Sequence, residues 1–433
     1  MPSAMDTTQC GRPADALGSR ASGICGNPRT GGIFAKGKLC KPRRGQVQTS
    51  LGMATNNKTG LIQGAAWRIR LIARNALVMS DVLIARHLDR APHYAPILLF
   101  FMTYRCNLRC RMCGVCEQEQ PREAVSELSL DECRDVIRAA ARLKTSLMLI
   151  SGGEALLRQD VVFETIRIAR EHGIATHLCT NGLLLTPGVV AQLRASGVET
   201  ISVSVESPER DIHDSLRGTG AHDAAVNGIR LLRTAAPEIR VGINCTITAK
   251  NFRNLEAMVP FAESLNVHQL KFAPVHTNLL HRKKDYDGFD DVFFSEDQIA
   301  QLEAEIAQLG RAVRHTDLIT TSPWYLSKIT SLAREAPRFR CYAGFAACTV
   351  NPDGTVTPCS DMDGSLSVRK MPLDEIWRSR EYHAMRRRVA CCSCHCWDAL
   401  YAEISLRFDL RSLVRDVRRT WKELAFYFGN SRR

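Results

Sequence analysis

Pro96-Ile-Leu-Leu-Phe-Phe-Met102 runs directly into Tyr104-Arg-Cys-Asn-Leu-Arg-Cys-Arg-Met-Cys113. The first stretch is a short apolar run that reads as a buried strand. The second sets Cys106, Cys110 and Cys113 at CxxxCxxC spacing on the loop that leaves that strand. Three thiolates on one tight loop can hold three irons of a 4Fe-4S cluster and leave the fourth iron open for chemistry, whereas a fourth protein ligand makes an electron-transfer or structural cluster. Cys116 stands close enough to be that fourth ligand. A zinc knot is the competing reading, but it usually pairs CxxC with another CxxC or with histidines, and the first spacing here is three residues.

Downstream stretches repeat the pattern of strand followed by polar end. Leu147-Met-Leu-Ile-Ser-Gly-Gly-Glu154 is a buried strand closing on two glycines and a carboxylate. Such glycines let backbone approach a ligand, and the glutamate can accept from an ammonium. A Gly-Gly pair alone is most often only a turn; on the next strand, about 40 residues after the cysteines, it carries weight. Ile174-Ala-Thr-His-Leu-Cys-Thr-Asn-Gly182 and Glu199-Thr-Ile-Ser-Val-Ser-Val-Glu206 are two further strands. Strand-like runs at 97–104, 147–151, 174–180, 199–205, 240–247 and 268–273 alternate with helical patterns near 128–143, 160–172, 186–196, 221–235 and 253–265. Alternation of this kind implies an α/β fold with a parallel sheet, with ligands gathered at the strand carboxyl ends.

Together these stretches resemble the radical S-adenosylmethionine superfamily, and the resemblance implies a partial (β/α)6 barrel over residues 96–325. By that likeness Cys106, Cys110 and Cys113 hold the 4Fe-4S cluster, Met112 belongs to the cofactor-binding set, and Cys116 is a spare. The open iron would bind the amino and carboxylate groups of S-adenosylmethionine. Gly152, Gly153 and Glu154 match the Gly-Gly-Glu motif that takes the methionyl amine, and Ser204 the serine that reaches the ribose. The usual Ser-x-Asp appears here as Ser204-Val205-Glu206, a departure. Arg217 falls in a stretch similar to His-Asp-x-x-Arg-Gly and is the candidate partner for the methionyl carboxylate, which an arginine fork suits. The implied reaction is reductive cleavage of S-adenosylmethionine to a 5′-deoxyadenosyl radical that removes a hydrogen atom from substrate, with a flavodoxin- or ferredoxin-type reductant. The resemblance implies no catalytic residue beyond the cofactor set.

A second cysteine group comprises Cys341, Cys348, Cys359 and Cys391-Cys392-Ser-Cys394-His-Cys396. Asn351-Pro-Asp-Gly-Thr-Val-Thr-Pro-Cys359 reads as a hairpin turning at Asp353-Gly354, and Met371-Pro-Leu-Asp-Glu-Ile-Trp377 opens a helix. Residues 335–400 are similar to the SPASM or shortened twitch extension, in which an auxiliary 4Fe-4S cluster would sit on Cys341, Cys359, Cys391 and Cys394. Cys392 and Cys396 compete for the last two places, and Cys348 is a spare or a ligand of a second, incomplete site. A zinc-stabilised hairpin is the alternative.

The chain has 433 residues and 45% hydrophobic content, ordinary for a globular protein, and no apolar stretch long enough to span a bilayer. Its 17 cysteines, with no secretory signal at the start, fit thiolate clusters in a reducing, cytoplasmic setting. Cys133, Cys179 and Cys245 fall inside regular elements and read as small core residues, the last two also as candidates for the barrel mouth. Residues 1–60 lack periodicity and are expected to be disordered; Met53 is a candidate start. Basic amphipathic helices are expected within 61–95 and 401–433, the second striped by Leu410, Leu413, Val417, Trp421, Leu424 and Phe428 beside Arg411, Arg415, Arg418, Arg419 and Lys422. Such helices cap a barrel, dock on a partner, or rest on an anionic membrane, and the formal charge of +13 keeps peripheral contact at the inner membrane surface in play. Charge without a recognition motif does not point to nucleic acid. The substrate classes that fit are a ribosomally made peptide or a lipid or other small molecule. The reading outside enzymes is a non-catalytic iron-sulfur scaffold or electron carrier, which has no need of Gly152-Gly153-Glu154.

Overall fold

The computed structural model describes residues 75–115, 126–275, 290–333, 339–390, 397, 399–408 and 417–429. Cys116, Cys391 and Cys394, with the segments 1–60 and 61–74, lie outside the described residues.

Six parallel strands form the framework: β1 (Ile97–Phe101), β2 (Leu147–Ser151), β3 (Ala175–Thr180), β4 (Thr200–Ser204), β5 (Arg240–Ile247) and β6 (Gln269–Pro274), each hydrogen-bonded to the next in chain order. The helices between them include α2 (Leu130–Arg142), α3 (Gln159–Glu171), α4 (Pro187–Ser196), α5 (Arg210–Arg217), α6 (Ala221–Ala235) and α7 (Met258–Ser264); α1 occupies 75–87. Local chemistry sets their ends. Ser129 and Glu132 exchange side-chain and backbone bonds in a capping box at the start of α2. Thr186 caps α4, Pro187 occupies its first turn, and Gly197 closes it at φ 81°. One face of each strand packs on the helices, so Leu98, Phe100, Met148, Ile150, Ile201 and Val203 are buried in a single core. The alternate residues Leu99, Phe101, Leu147 and Leu149 face the barrel lumen in a second cluster.

The cysteine-rich extension joins the barrel through the sheet itself. β7 (Ala347–Val350) pairs in parallel with the free edge of β1, Ile97 opposite Ala347, and β8 (Thr355–Thr357) and β9 (Leu366–Ser367) continue antiparallel. The result is one nine-stranded sheet. The expected hairpin is present, with Gly354 at φ 84° and the Asp353 carboxylate accepting from the Thr355 N–H at 2.9 Å. α8 (Glu296–His315), α9 (Pro323–Ser327), α10 (Leu373–Arg378), α11 (Arg380–Ala390), α12 (Ala399–Leu406) and α13 (Val417–Phe428) complete the described chain.

α13 closes the amino-terminal mouth of the barrel. Tyr427 and Phe428 join the lumenal cluster with Leu400. Phe426 sits over Gly242, where a Cβ would come within 3.3 Å of its ring. His177 meets the Phe426 and Tyr427 rings edge-on at 6.0 and 5.2 Å. Lys271 of β6 donates to Glu423 at 2.6 Å. The basic residues of this helix find partners within the protein, Arg418 and Lys422 on Asp317 and Arg419 on the Val313 carbonyl. Its amphipathic pattern therefore serves packing on the barrel. In α1, Val82 and Ala85 pack on Tyr342, Phe345 and Ala346, whereas Leu77 and Ile84, and Leu88 just past the helix end, are 56%, 49% and 62% exposed.

Candidate functional site

The loop after β1 is held by backbone bonds from two sides. Beyond the paired strands, Met102 donates to Ser151 (2.9 Å), Gly153 to Thr103 (2.8 Å) and Glu154 to Arg105 (2.9 Å), so residues 151–154 run beside the chain that enters the cysteine loop. A Cβ on Gly152 would stand 2.3 Å from the Thr103 oxygen, and one on Gly153 2.1 Å from that of Arg105. Both glycines are thus required for two backbones to meet, and Gly152 also needs its φ of 138°. On the other side, Arg111 donates to the Leu216 carbonyl at 2.8 Å, fixing the loop to α5.

Glu154 is buried, and its carboxylate accepts from Leu156 N (3.1 Å), Thr180 Oγ1 (3.0 Å) and Asn181 N (2.8 Å). Burial pushes its pKa up, with these donors opposing. It locks the end of β2 to the end of β3. Asn181, a site residue not among those expected from sequence, extends that lock: its amide donates to Asn107 at 2.7 Å and lies 4.0 Å from Cys106 Sγ. The Thr-Asn-Gly strand end was the available signal.

The stretch His213-Asp214-Ser-Leu-Arg217 resolves into separate tasks. His213 Nδ1 accepts from the Glu206 N–H at 3.1 Å, and Asp214 caps α6 by accepting from Gly220 and His222 N–H groups. Leu216 supplies the carbonyl that anchors the cysteine loop. The Arg217 Nε and Nη2 donate to Glu206 Oε1 at 2.7 and 2.5 Å, and its Nη1 lies 3.8 Å from Cys110 Sγ. Burial raises the Cys110 pKa, and the Arg217 charge opposes the shift. Burial would lower the Arg217 pKa, but Glu206 together with the Cys110 and Cys113 sulfurs more than offsets it.

A cavity of about 290 Å³ opens at the strand carboxyl ends. Its wall holds Cys106, Cys110, Cys113, Met112, Gly152, Gly153, Ser204 and Arg217 together, joined by Cys179, Asn181 and Thr246. Of the site residues expected in the barrel, Glu154 is the one that stands behind this wall. Cys179 is half-buried at the mouth with its pKa raised to about 12 by burial, while Cys245 is buried under the Glu206 carbonyl and Cys133 in the helical core.

Cys341 and Cys359 belong to one apolar cluster with Ala343, Ala347 and Val389 of the last turn of α11. Trp397 is pinned by Tyr325, ring on ring at 5.1 Å with bonds in both directions. The expected ligands Cys391 and Cys394 fall between these two anchors, outside the described residues. Cys348 is buried in β7 opposite Leu98, a core position.

The donor chemistry fits iron-sulfur clusters. The three loop cysteines line one cavity. Cys106, Cys341 and Cys359 each accept from the N–H two residues on, at 3.5, 3.4 and 3.3 Å, an arrangement that favours sulfur carrying negative charge.

A parallel half-barrel with three thiols of one loop around a cavity at its strand ends defines an iron-sulfur enzyme with an open cofactor site. Comparison with known proteins agrees. Residues 100–259 match the radical SAM superfamily and residues 341–397 the SPASM iron-sulfur cluster-binding domain. The AdoMet-dependent heme synthase of Methanosarcina barkeri is 29% identical over 66% of this chain and 83% of that protein. The mycofactocin maturase MftC of Mycobacterium tuberculosis is 28% identical over 70% and 77%. Streptococcus suis SuiB, solved with its precursor peptide SuiA, shares the fold at a TM-score of 0.54 and 15% identity, over 79% of this chain and 74% of that one. The chain belongs to the radical S-adenosylmethionine superfamily, with a SPASM-type extension. It is a radical enzyme that uses 4Fe-4S clusters, an auxiliary one included, and S-adenosylmethionine. The scaffold reading is set aside.

Proposed function

We propose that the chain modifies a peptide by hydrogen-atom abstraction, with Cys106, Cys110 and Cys113 holding the cluster at the barrel mouth. The observation that carries the assignment is the single cavity wall shared by these cysteines, Gly152, Gly153, Ser204 and Arg217. When bound, the cluster supplies the electron for reductive cleavage of S-adenosylmethionine. The protein supplies position. The Gly152-Gly153 segment receives the methionyl amine, helped by Glu154, whose carboxylate has three of about four acceptor sites in use. Arg217 receives the methionyl carboxylate on donors beyond the three already engaged. Ser204 takes the ribose, Met112 flanks the cofactor, and Leu108 and Val115 keep water from it.

A cavity of 290 Å³ is at the low end of the roughly 300–1,000 Å³ that encloses one drug-sized ligand, so a substrate meets the bound cofactor at the mouth. A chain-like substrate suits that geometry. SuiB binds a precursor peptide, which supports the reading. A second reading, a small molecule such as a tetrapyrrole, is favoured by the heme synthase relative at similar identity. Cys341, Cys359, Cys391 and Cys394 are proposed to hold the auxiliary cluster, a flavodoxin- or ferredoxin-type protein to deliver electrons, and the exposed Leu77 and Ile84 of α1, with Leu88 just past its end, to make any peripheral membrane contact.

The test is label transfer. Reduced, reconstituted protein is incubated with S-adenosylmethionine and a deuterated peptide encoded beside its gene. Deuterium in 5′-deoxyadenosine supports the peptide reading; transfer only from a small molecule replaces it.

A further inference from the structure

We propose that Glu206 is a positioning residue that aims the Arg217 guanidinium at Cys110, so that this buried ion pair sets the electrostatic environment of the cluster on the Cys106–Cys113 loop. The inference rests on the reading of that loop as the cluster site. It assigns a purpose to the departure from Ser-x-Asp noted in the sequence.

The geometry leaves the guanidinium little freedom. Glu206 Oε1 takes both Nε and Nη2, at 2.7 and 2.5 Å, which turns the remaining nitrogen toward Cys110 Sγ at 3.8 Å. A planar fork held at two donors fixes where the third points. Glu206 is itself held on every side. Its Oε2 accepts from Thr246 N at 2.5 Å, its N–H donates to His213, and its carbonyl accepts from Asn251 Nδ2 at 2.7 Å. The side chain has no exposed surface. An aspartate, one methylene shorter, would draw the guanidinium back from the sulfur or lose the Thr246 bond.

Electrostatics give the pair its effect. A cluster gains one negative charge on reduction, and both nearby charge and hydrogen bonds to its sulfurs shift its potential. Arg217 favours the reduced state by a donor directed at a ligand sulfur, and Glu206 opposes it by charge while supplying the direction. The two carboxylate effects separate on substitution: removing the charge and shortening the arm act with opposite sign.

The experiment is a potentiometric titration with dithionite, one electron per cluster, followed by low-temperature paramagnetic resonance on the reconstituted full chain. The same chain with Cys106, Cys110 and Cys113 replaced by Ala provides the auxiliary signal for subtraction. Glu206→Gln should raise the midpoint, making the ratio of reduced to oxidised cluster about tenfold higher at the wild-type midpoint poise, a shift of about 59 mV for one electron. Glu206→Asp and Arg217→Lys should lower it as the donor leaves Cys110. Unchanged midpoints in Glu206→Gln and Glu206→Asp with iron retained, or shifts of the same sign, overturn the proposal. Should Glu206→Gln not hold iron, Glu206→Asp and Arg217→Lys decide, and wild-type midpoints in both overturn it. Cleavage of S-adenosylmethionine is followed in parallel; a wild type that binds the cluster and cleaves nothing sinks the proposed function while leaving the potentials readable.

Discussion

Replacing Glu154 by Ala tests whether this glutamate acts as a brace of the barrel mouth as well as a cofactor contact. The substitution strands three buried donors, Leu156 N, Thr180 Oγ1 and Asn181 N. Each unsatisfied donor costs roughly 1–3 kcal/mol. Part of this is offset because the buried carboxylate's own desolvation disappears and Thr180 can turn its hydroxyl, so the expected net loss is about 3 kcal/mol. Glu154→Gln keeps the shape but sets an amide NH₂ against one donor, and should cost about half as much. The assay is urea unfolding of the metal-free chain, where no cofactor contact contributes, with hydrogen exchange at Asn181 as a local probe. At an m-value near 3 kcal/mol/M the Ala variant should unfold about 1 M earlier, and the Asn181 amide should lose protection. Wild-type unfolding and protection in Glu154→Ala would refute the brace; a loss confined to cosubstrate affinity would leave the glutamate as an ammonium acceptor alone.

Further outcomes follow from the same geometry. Gly153→Ala puts a methyl against the Arg105 carbonyl, so reconstituted protein should fall from about eight irons toward four, as should the Cys106, Cys110 and Cys113 triple Ala variant; full iron in Gly153→Ala would show that the close approach is dispensable. Cys341→Ala with Cys359→Ala should remove the other half, and stoichiometric zinc there in place of iron would defeat the auxiliary-cluster assignment. His177 and His213 are buried, and burial lowers both pKa values to about 3, so they stay neutral in the fold while the unfolded chain protonates them below pH 6.5. Their stability contribution is whole above pH 6.5 and is lost as pH falls toward 3, by roughly 1.4 kcal/mol per pH unit for each. An acid-unfolding profile of His177→Gln no shallower than that of wild type would contradict this. Liposome pelleting should respond to Ser at Leu77, Ile84 and Leu88 and ignore Arg418→Gln, because Arg418 is engaged with Asp317; the opposite pattern would move the contact to α13.

The parallel barrel was legible because strand and helix leave different periods, and the apolar runs at 147–151 and 240–247 coincide with β2 and β5 as formed. The cysteine loop was legible from spacing alone. Four features were not. β7 reads as one arm of a hairpin, and nothing in Ala-Cys-Thr-Val says that its other edge binds β1, since partner choice lies in the tertiary fold. α13 carries a stripe and a cationic flank that suit a membrane or a barrel equally; its contacts with Asp317 and Gly242, a hundred residues and more away, are not written in that stripe. Gly152 and Gly153 announced a close approach, but the approaching group is the backbone of Thr103 and Arg105. The pairing of Glu206 with Arg217 crosses from a strand end to a helix end, a contact that no local period encodes.

The position of α13 also fixes an order of events during synthesis. β6 ends at Pro274, and the helix that covers Leu99, Leu147 and Leu149 from below begins at Val417. At about 5–20 residues per second a ribosome needs roughly 7–30 s to make the intervening chain. Throughout that interval the six strands exist without their floor, and the apolar lumen is open to water, to chaperones and to wrong partners. The nascent enzyme is thus most prone to aggregate after its barrel strands are complete and before its last helix arrives. Truncation before 417 makes that interval permanent.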